Sequence, residues 1–166
     1  MLGDGNGWVH HLNHRYWGLY GAAGLFLVAG GHVLLQHRAA WTADGGTWGI
    51  PGGARDSHET PAEAALRETV EECGIDPSLA TVVDSFTTME VPGWSYTTVY
   101  ATAPSLLDVI PNEESNELRW VPLAQLADMS EVPVEDALQG RMPLHPGFAT
   151  SLPTILARVG HTNPHD

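Results

Sequence analysis

A single cysteine, Cys73, stands in 166 residues. No internal disulfide can form, and such scarcity favours a reducing compartment. Positive charge is also scarce: 7 Lys and Arg stand against 20 Asp and Glu, for a net charge of −13. Without a basic cluster to follow a phosphate backbone, a nucleic-acid partner is not expected. An anionic small molecule stays compatible if metal cations mediate. Long apolar runs are missing too. The longest, Gly21 to Gly31, is too short to span a membrane. The opening "MLGDGNGWVHH" lacks the basic start and apolar core of a secretion signal. These absences lead to the expectation of a cytoplasmic protein, folded as a single domain over residues 1–166 with no membrane contact.

Glycine (18) and proline (12) are plentiful, so turns should be too. Residues 1–20 read as an irregular extension. Its "HHLNH" (10–14) has no spaced Cys/His pairs of a structural zinc site and reads as a polar turn or short edge strand. "AAGLFLV" (22–28) and "VLLQHR" (33–38) flank a Gly-Gly turn, the pattern of a β-hairpin. A long loop, 39–53, follows, with a short strand expected at 47–50. Two β-branched, aromatic segments, 80–91 and 95–104, are separated by the turn "PGW". A strand at 117–123, a short helix at 123–129 and a helix at 146–159, kinked or restarted at Pro153, complete the chain. The mixture predicts an α/β (α+β) fold with a mixed sheet.

The helix expected at 61–73 has its ends written in the sequence. Thr60 and Glu63 form a capping box, Pro61 suits the first turn, and Gly74 suits the position past the C-terminus. Ala62, Leu66, Thr69 and Cys73 share one stripe, widened by Ala65 and Val70, which should pack on the sheet. Glu68, Glu71 and Glu72 fall within an arc of about 100° on the far side. Glu68 and Glu72, four residues apart, repel by about 0.2–0.5 kcal/mol, near a helix end whose dipole is already negative. Arg67 is spaced to pair with Glu71. A solvated acidic face is one reading of this crowding. The other is a site for a hard divalent cation, which prefers oxygen ligands, with the adjacent glycine turn "GIPGG" (49–53) permitting close backbone approach.

The stretch from Gly53 to Ile75, "GARDSHETPAEAALRETVEECGI", resembles the Nudix box, G-x5-E-x7-R-E-U-x-E-E-x-G-U with U a bulky aliphatic residue. Gly53, Glu59, Arg67, Glu68, Glu71, Glu72, Gly74 and Ile75 all fall at the required spacing; Thr69 replaces the first aliphatic. The flanks "VLLQHR", "WGIPGG" and "EESNELRWVPLAQL" extend the resemblance over roughly residues 21–126. It implies a mixed β-sheet sandwiched between helices, with the box as loop-helix-loop. It also implies hydrolysis of a nucleoside diphosphate linked to another moiety, with Mg2+ or Mn2+. Glu68, Glu71 and Glu72 would hold the metal, joined by the Gly53 carbonyl, and Arg67 would orient the glutamates. Glu59 and Gly74 would shape the loops.

Water would attack phosphorus, and a carboxylate must take its proton. Glu68 and Glu72 in the box, and Glu113, Glu114 or Glu117 beyond it, are the candidates. Glu114 is the favoured additional residue. Arg38 is a candidate phosphate contact. Trp94 and Tyr96 could stack on a base, with Trp41 and Trp48 as further aromatic candidates. A small-molecule nucleotide is thus the expected partner, and a homodimer is left open. Two alternatives keep the fold: a non-catalytic nucleotide sensor, and an isomerase of the isopentenyl diphosphate type, which needs a catalytic cysteine. A purely structural domain with an acidic helix is the third.

Overall fold

Gly30 and Gly31 join the two apolar runs of the chain, and both have positive φ, 54° and 74°. A residue with a Cβ pays about 1–2 kcal/mol in that region. The computed structural model describes residues 3–39, 44–139 and 141–162; Trp41 lies outside the described residues. The strands are β1 (Trp8–His11), β2 (His14–Trp17), β3 (Ala22–Ala29), β4 (His32–Arg38), β5 (Trp48–Gly49), β6 (Gly52–Ala54), β7 (Thr81–Val91), β8 (Trp94–Thr102) and β9 (Ser115–Pro122). The helices are α1 (Pro61–Cys73), α2 (Leu126–Ser130) and α3 (Pro146–Thr162).

β3 and β4 pair only beside their turn, Val28 with Val33 and Ala29 with His32. Then they part. β6 pairs with β3 and β5 with β4, so the short glycine-rich strands hold the parted edges. On its other edge β3 runs parallel to β8, and β7 closes that end antiparallel to β8. β9 pairs along the length of β4. The sheet is therefore mixed, seven-stranded, and opened in its middle.

Alternation along the strands assigns the two faces. Ala23, Leu25, Leu27, Val99 and Ala101 pack with Ala64, Ala65 and Cys73 of α1. Phe26, Val28, Phe86 and Tyr100 pack with Leu126 and Met129 of α2 and with Phe148, Leu152, Ile155 and Val159 of α3. Each buried Leu or Ile contributes about 1.5–3 kcal/mol. α3 runs through Pro153 as one helix, so the restart allowed by the sequence does not occur. Pro153 lies on the solvent side, while Leu152 and Ile155 anchor the helix on either side of it. Packing thus carries the helix across one missing hydrogen bond.

The first 20 residues are also more ordered than expected. β1 and β2 form an antiparallel ribbon apart from the main sheet, pairing Trp8 with Trp17 and His11 with His14. The two indoles meet edge-on at 5.0 Å, and the Arg15 guanidinium lies 4.2 Å above the Trp8 ring. Cross-strand aromatic and cation–π contacts of this kind hold the ribbon, whose turn falls in the "HHLNH" stretch expected as a polar turn or short edge strand.

Candidate active site

α1 is fixed at both ends as its sequence specifies. Thr60 Oγ1 accepts from the Glu63 N–H (3.1 Å), and Glu63 Oε1 accepts from the Thr60 N–H (2.9 Å). Gly74 takes φ 68°, and its N–H donates to the Val70 carbonyl (3.0 Å). The helix lies across β3 and beside β6, at the opening of the sheet.

The three glutamates do not share a solvated face. Only Glu71 is largely open, its side chain 56% exposed. Glu72 is 2% exposed. Its carboxylate accepts from the Gly52 N–H and from the Gln36 side-chain amide, which also donates to Ser115 Oγ (2.6 Å). The expected arc was right about spacing. The helix, however, packs against both sheet and β6, so positions 68 and 72 are enclosed. Burial pushes the Glu72 carboxyl well above 4.5, and the charges of Glu68 and Glu114 push it further. Glu68 is raised to about 7, mainly by burial, with Arg67 opposing and Glu71 and Glu114 adding. A Cβ on Gly53 would lie 2.6 Å from the Glu68 carboxyl carbon, so glycine makes room for that carboxylate against the β6 backbone.

Arg67 holds this arrangement. Its Nε and Nη2 donate to the two oxygens of Glu59 (2.7 and 2.9 Å), its Nη1 to Glu68 Oε1 (3.0 Å), and its Nη2 also to the Ala54 carbonyl (3.1 Å). Glu71, the partner expected from i,i+4 spacing, is more distant at 3.5 Å. The bidentate fork to Glu59 is stronger because both charges are paired in plane and Glu59 is buried. It holds the Glu59 carboxyl below its ordinary value. Asp56, 3.6 Å from Arg67, belongs to the same group and had no signal in the box pattern.

Of the acids beyond the box, Glu114 is the one brought close enough to raise both Glu68 and Glu72. The segment before it is tied to the end of α1: the Ile110 and Asn112 N–H groups donate to the Cys73 and Glu72 carbonyls (2.8 and 3.2 Å). Glu113 enters no such interaction among the described residues, and Glu117 pairs with Arg119 at 2.7 Å. Cys73 is buried, and burial together with Glu72 pushes its thiol up to about 12. A thiol so placed is no nucleophile or acid for an isomerase.

On the opposite face of the sheet, Tyr96 reaches over Gly24: a Cβ there would sit 2.0 Å from the phenol oxygen. Burial raises its pKa, with Glu72 adding to the rise and Arg38 opposing it. Burial and Arg38 lower the pKa of His145. His145 Nδ1 accepts from the Gly147 N–H (3.0 Å), and Nε2 faces Asp44 at 3.1 Å. Gln36, Asp44 and His145 were not legible as site neighbours, because the loop and β4 bring them there only on folding. Trp48 is 3% exposed, stacked on His37 at 4.6 Å, and serves as a core anchor. Trp94 stacks on Tyr16 at 4.8 Å, and its N–H donates to the Trp17 carbonyl (3.1 Å), which seats the N-terminal ribbon.

The acidic groups supply only oxygen donors, with Glu72 buried, Glu68 partly buried and the two repelling each other, a set that fits a hard divalent cation. Among the described residues no three Asp, Glu, His or Cys side chains are already gathered as a ligating cluster. No described helix is long and apolar enough to cross a membrane.

Comparison with known proteins gives concordant matches. The family model of the NUDIX domain matches residues 19–139. A Mycobacterium tuberculosis protein carrying the provisional name 8-oxo-dGTP diphosphatase 3 is 51% identical over 162 residues, covering 91% of this chain and 69% of that protein. An 8-oxo-dGTP diphosphatase of Proteus vulgaris is 39% identical over 67 residues, 40% of this chain and 60% of that protein. Among solved structures, the crystal structure of RenU, a Nudix hydrolase from M. smegmatis, superposes with a TM-score of 0.83 at 46% identity, covering 95% of this chain and 96% of that one.

Proposed function

This chain belongs to the Nudix family, and from that premise we propose that it hydrolyses a nucleoside triphosphate with an oxidised purine, 8-oxo-dGTP being the first candidate. The reaction class is cleavage of a pyrophosphate bond in a nucleoside diphosphate-linked compound. Water oxygen bonds to phosphorus, the bridging P–O bond breaks, and nucleoside monophosphate and pyrophosphate leave. The choice of an oxidised purine rests on the 51% identical relative with the provisional name 8-oxo-dGTP diphosphatase 3. The observation that carries the reaction class is the pair of carboxylates, Glu68 and Glu72, held at the opening of the sheet by Arg67 and by the Gly52 N–H with Gln36.

Glu68, Glu72 and the more exposed Glu71 are the residues that would hold a divalent cation, Mg2+ or Mn2+, with the Gly53 carbonyl as a further donor. Such a cation supplies charge neutralisation at phosphate oxygens and a lowered pKa for bound water. Arg67 Nη1 occupies Glu68 Oε1 and leaves Oε2 as the open acceptor. Burial raises the carboxyls of both Glu68 and Glu72, the first to about 7, and each is a candidate base for water attack. Glu114 is a third acid beside them. Arg38 and Tyr96 would receive the nucleotide, with Trp94, whose ring centroid lies 6.4 Å from that of Tyr96, as a further aromatic contact.

Purified protein with Mg2+ or Mn2+ is to be offered 8-oxo-dGTP, dGTP, ADP-ribose and a dinucleoside polyphosphate, with products resolved by ion-exchange chromatography. Release of pyrophosphate from 8-oxo-dGTP, with kcat/KM about 10-fold or more above dGTP, supports the proposal; that ratio is about 1.4 kcal/mol. A folded, metal-binding protein that cleaves none of them refutes it. Faster cleavage of ADP-ribose keeps the chemistry and overturns the substrate.

A further inference from the structure

Residues 3–18 precede the part of the chain that matches the family model, yet they touch the loop that shapes the box. Gly5 donates its N–H to Asp56 Oδ1 (3.0 Å), and its carbonyl accepts from the Leu19 N–H (2.8 Å). Asp4 accepts from the Ser57 N–H (2.8 Å) and from the Ser57 hydroxyl. Asp56 is buried, and it points in two directions. One oxygen holds the N-terminal segment; the other lies 3.6 Å from Arg67 Nη2. Its own N–H donates to Glu59 Oε1 (3.0 Å). The contacts thus run without a break from Gly5 through Asp56 and Arg67 to Glu68.

The approach is close. A Cβ on Gly3 would lie 2.0 Å from Asp56 Oδ1, and one on Gly5 would lie 2.0 Å from the Arg55 carbonyl oxygen. The segment must therefore be backbone alone at these two points. Asp56 falls among the unspecified positions between Gly53 and Glu59, so the box pattern itself does not call for it.

We propose that the N-terminal segment 3–7 and Asp56 form a positioning clamp, which fixes Arg67 and through it the orientation of Glu68 toward a divalent cation. The inference rests on the family reading of the box for the metal, and its main measurement does not need turnover. Mn2+ binding to full-length protein is followed by the electron paramagnetic resonance signal of free Mn2+, for wild type, Gly3→Ala and Asp56→Ala. Both substitutions should weaken Mn2+ binding by about 10-fold, the scale of losses on removing groups that orient a metal ligand. With the nucleotide substrate, kcat should fall by a comparable factor while KM at saturating metal stays within about two-fold. If Asp56→Ala does not fold, Asp56→Asn carries the test, since it keeps the shape and the acceptor for Gly5 but loses the charge facing Arg67. Mn2+ affinity and kcat equal to wild type, with only a lower melting temperature, would reduce the clamp to a stabilising contact and overturn the proposal. Weakened Mn2+ binding in a protein whose wild type cleaves no nucleotide would leave the clamp standing and remove the proposed function instead.

Discussion

At the scale of residues, the charges of α1 are arranged against local stability. Glu68 and Glu72 are enclosed with raised pKa values, so in the metal-free protein their ionisation opposes folding. The sign follows from linkage: a carboxyl whose folded pKa exceeds its unfolded value contributes stability that is present below the unfolded pKa and lost as pH rises through the folded one. For Glu68 that window runs from 4.5 to about 7. Thermal melts without metal should therefore show melting temperature falling across this range, with a shallower fall in Glu68→Gln or Glu72→Gln. Glu72→Gln should melt no lower than wild type near neutral pH, because it keeps an acceptor for the Gly52 N–H and loses the repulsion. Its kcat should nonetheless fall by about 10²–10⁴-fold, the range for a group that moves a proton. Arg67→Ala should behave oppositely on stability. It leaves Glu59 buried without its fork, at a cost of about 2–3 kcal/mol by urea melts, toward the low end because Arg67 is partly exposed.

At the scale of elements, the ends of α1 were fully legible. Thr60, Pro61, Glu63 and Gly74 each act on backbone groups within a turn of themselves, so their meaning needs no knowledge of the fold. Gly74→Ala should cost about 1–2 kcal/mol, because φ at that position is 68°; equilibrium unfolding at constant m-value would measure it. The central hairpin was legible for the same reason. The ribbon of β1 and β2 was legible only as a turn or short edge strand within 10–14, since its seat on Trp94 joins residues far apart in the chain. The continuity of α3 through Pro153 was likewise decided by burial of Leu152 and Ile155 rather than by local propensity.

At the scale of the molecule, the parting of β3 from β4 beyond their turn makes the opening beside which α1 lies. α1 packs there against β3 and β6 and carries Glu68 and Glu72, with the Glu72 carboxylate accepting from the Gly52 N–H of β6. A cation bound there stabilises the folded state by mass action. At 100 times the dissociation constant this is about 2.7 kcal/mol, or roughly 5–10 °C in melting temperature for a chain this size. Differential scanning fluorimetry with Mn2+ should show such a rise in wild type and much less in Glu72→Gln.

The sequence by itself determined the hairpin turn, the caps of α1, the spacing of Arg67 with its three glutamates, and hence the chemistry they can support. These depend on helical period and backbone conformation, which are local. Tertiary structure alone decided which glutamates are enclosed, that Arg67 forks to Glu59 in preference to Glu71, and that Gln36 and Asp56 join the group. Burial and desolvation arise only when distant elements meet, and a helical period says which side a residue faces but not what covers that side.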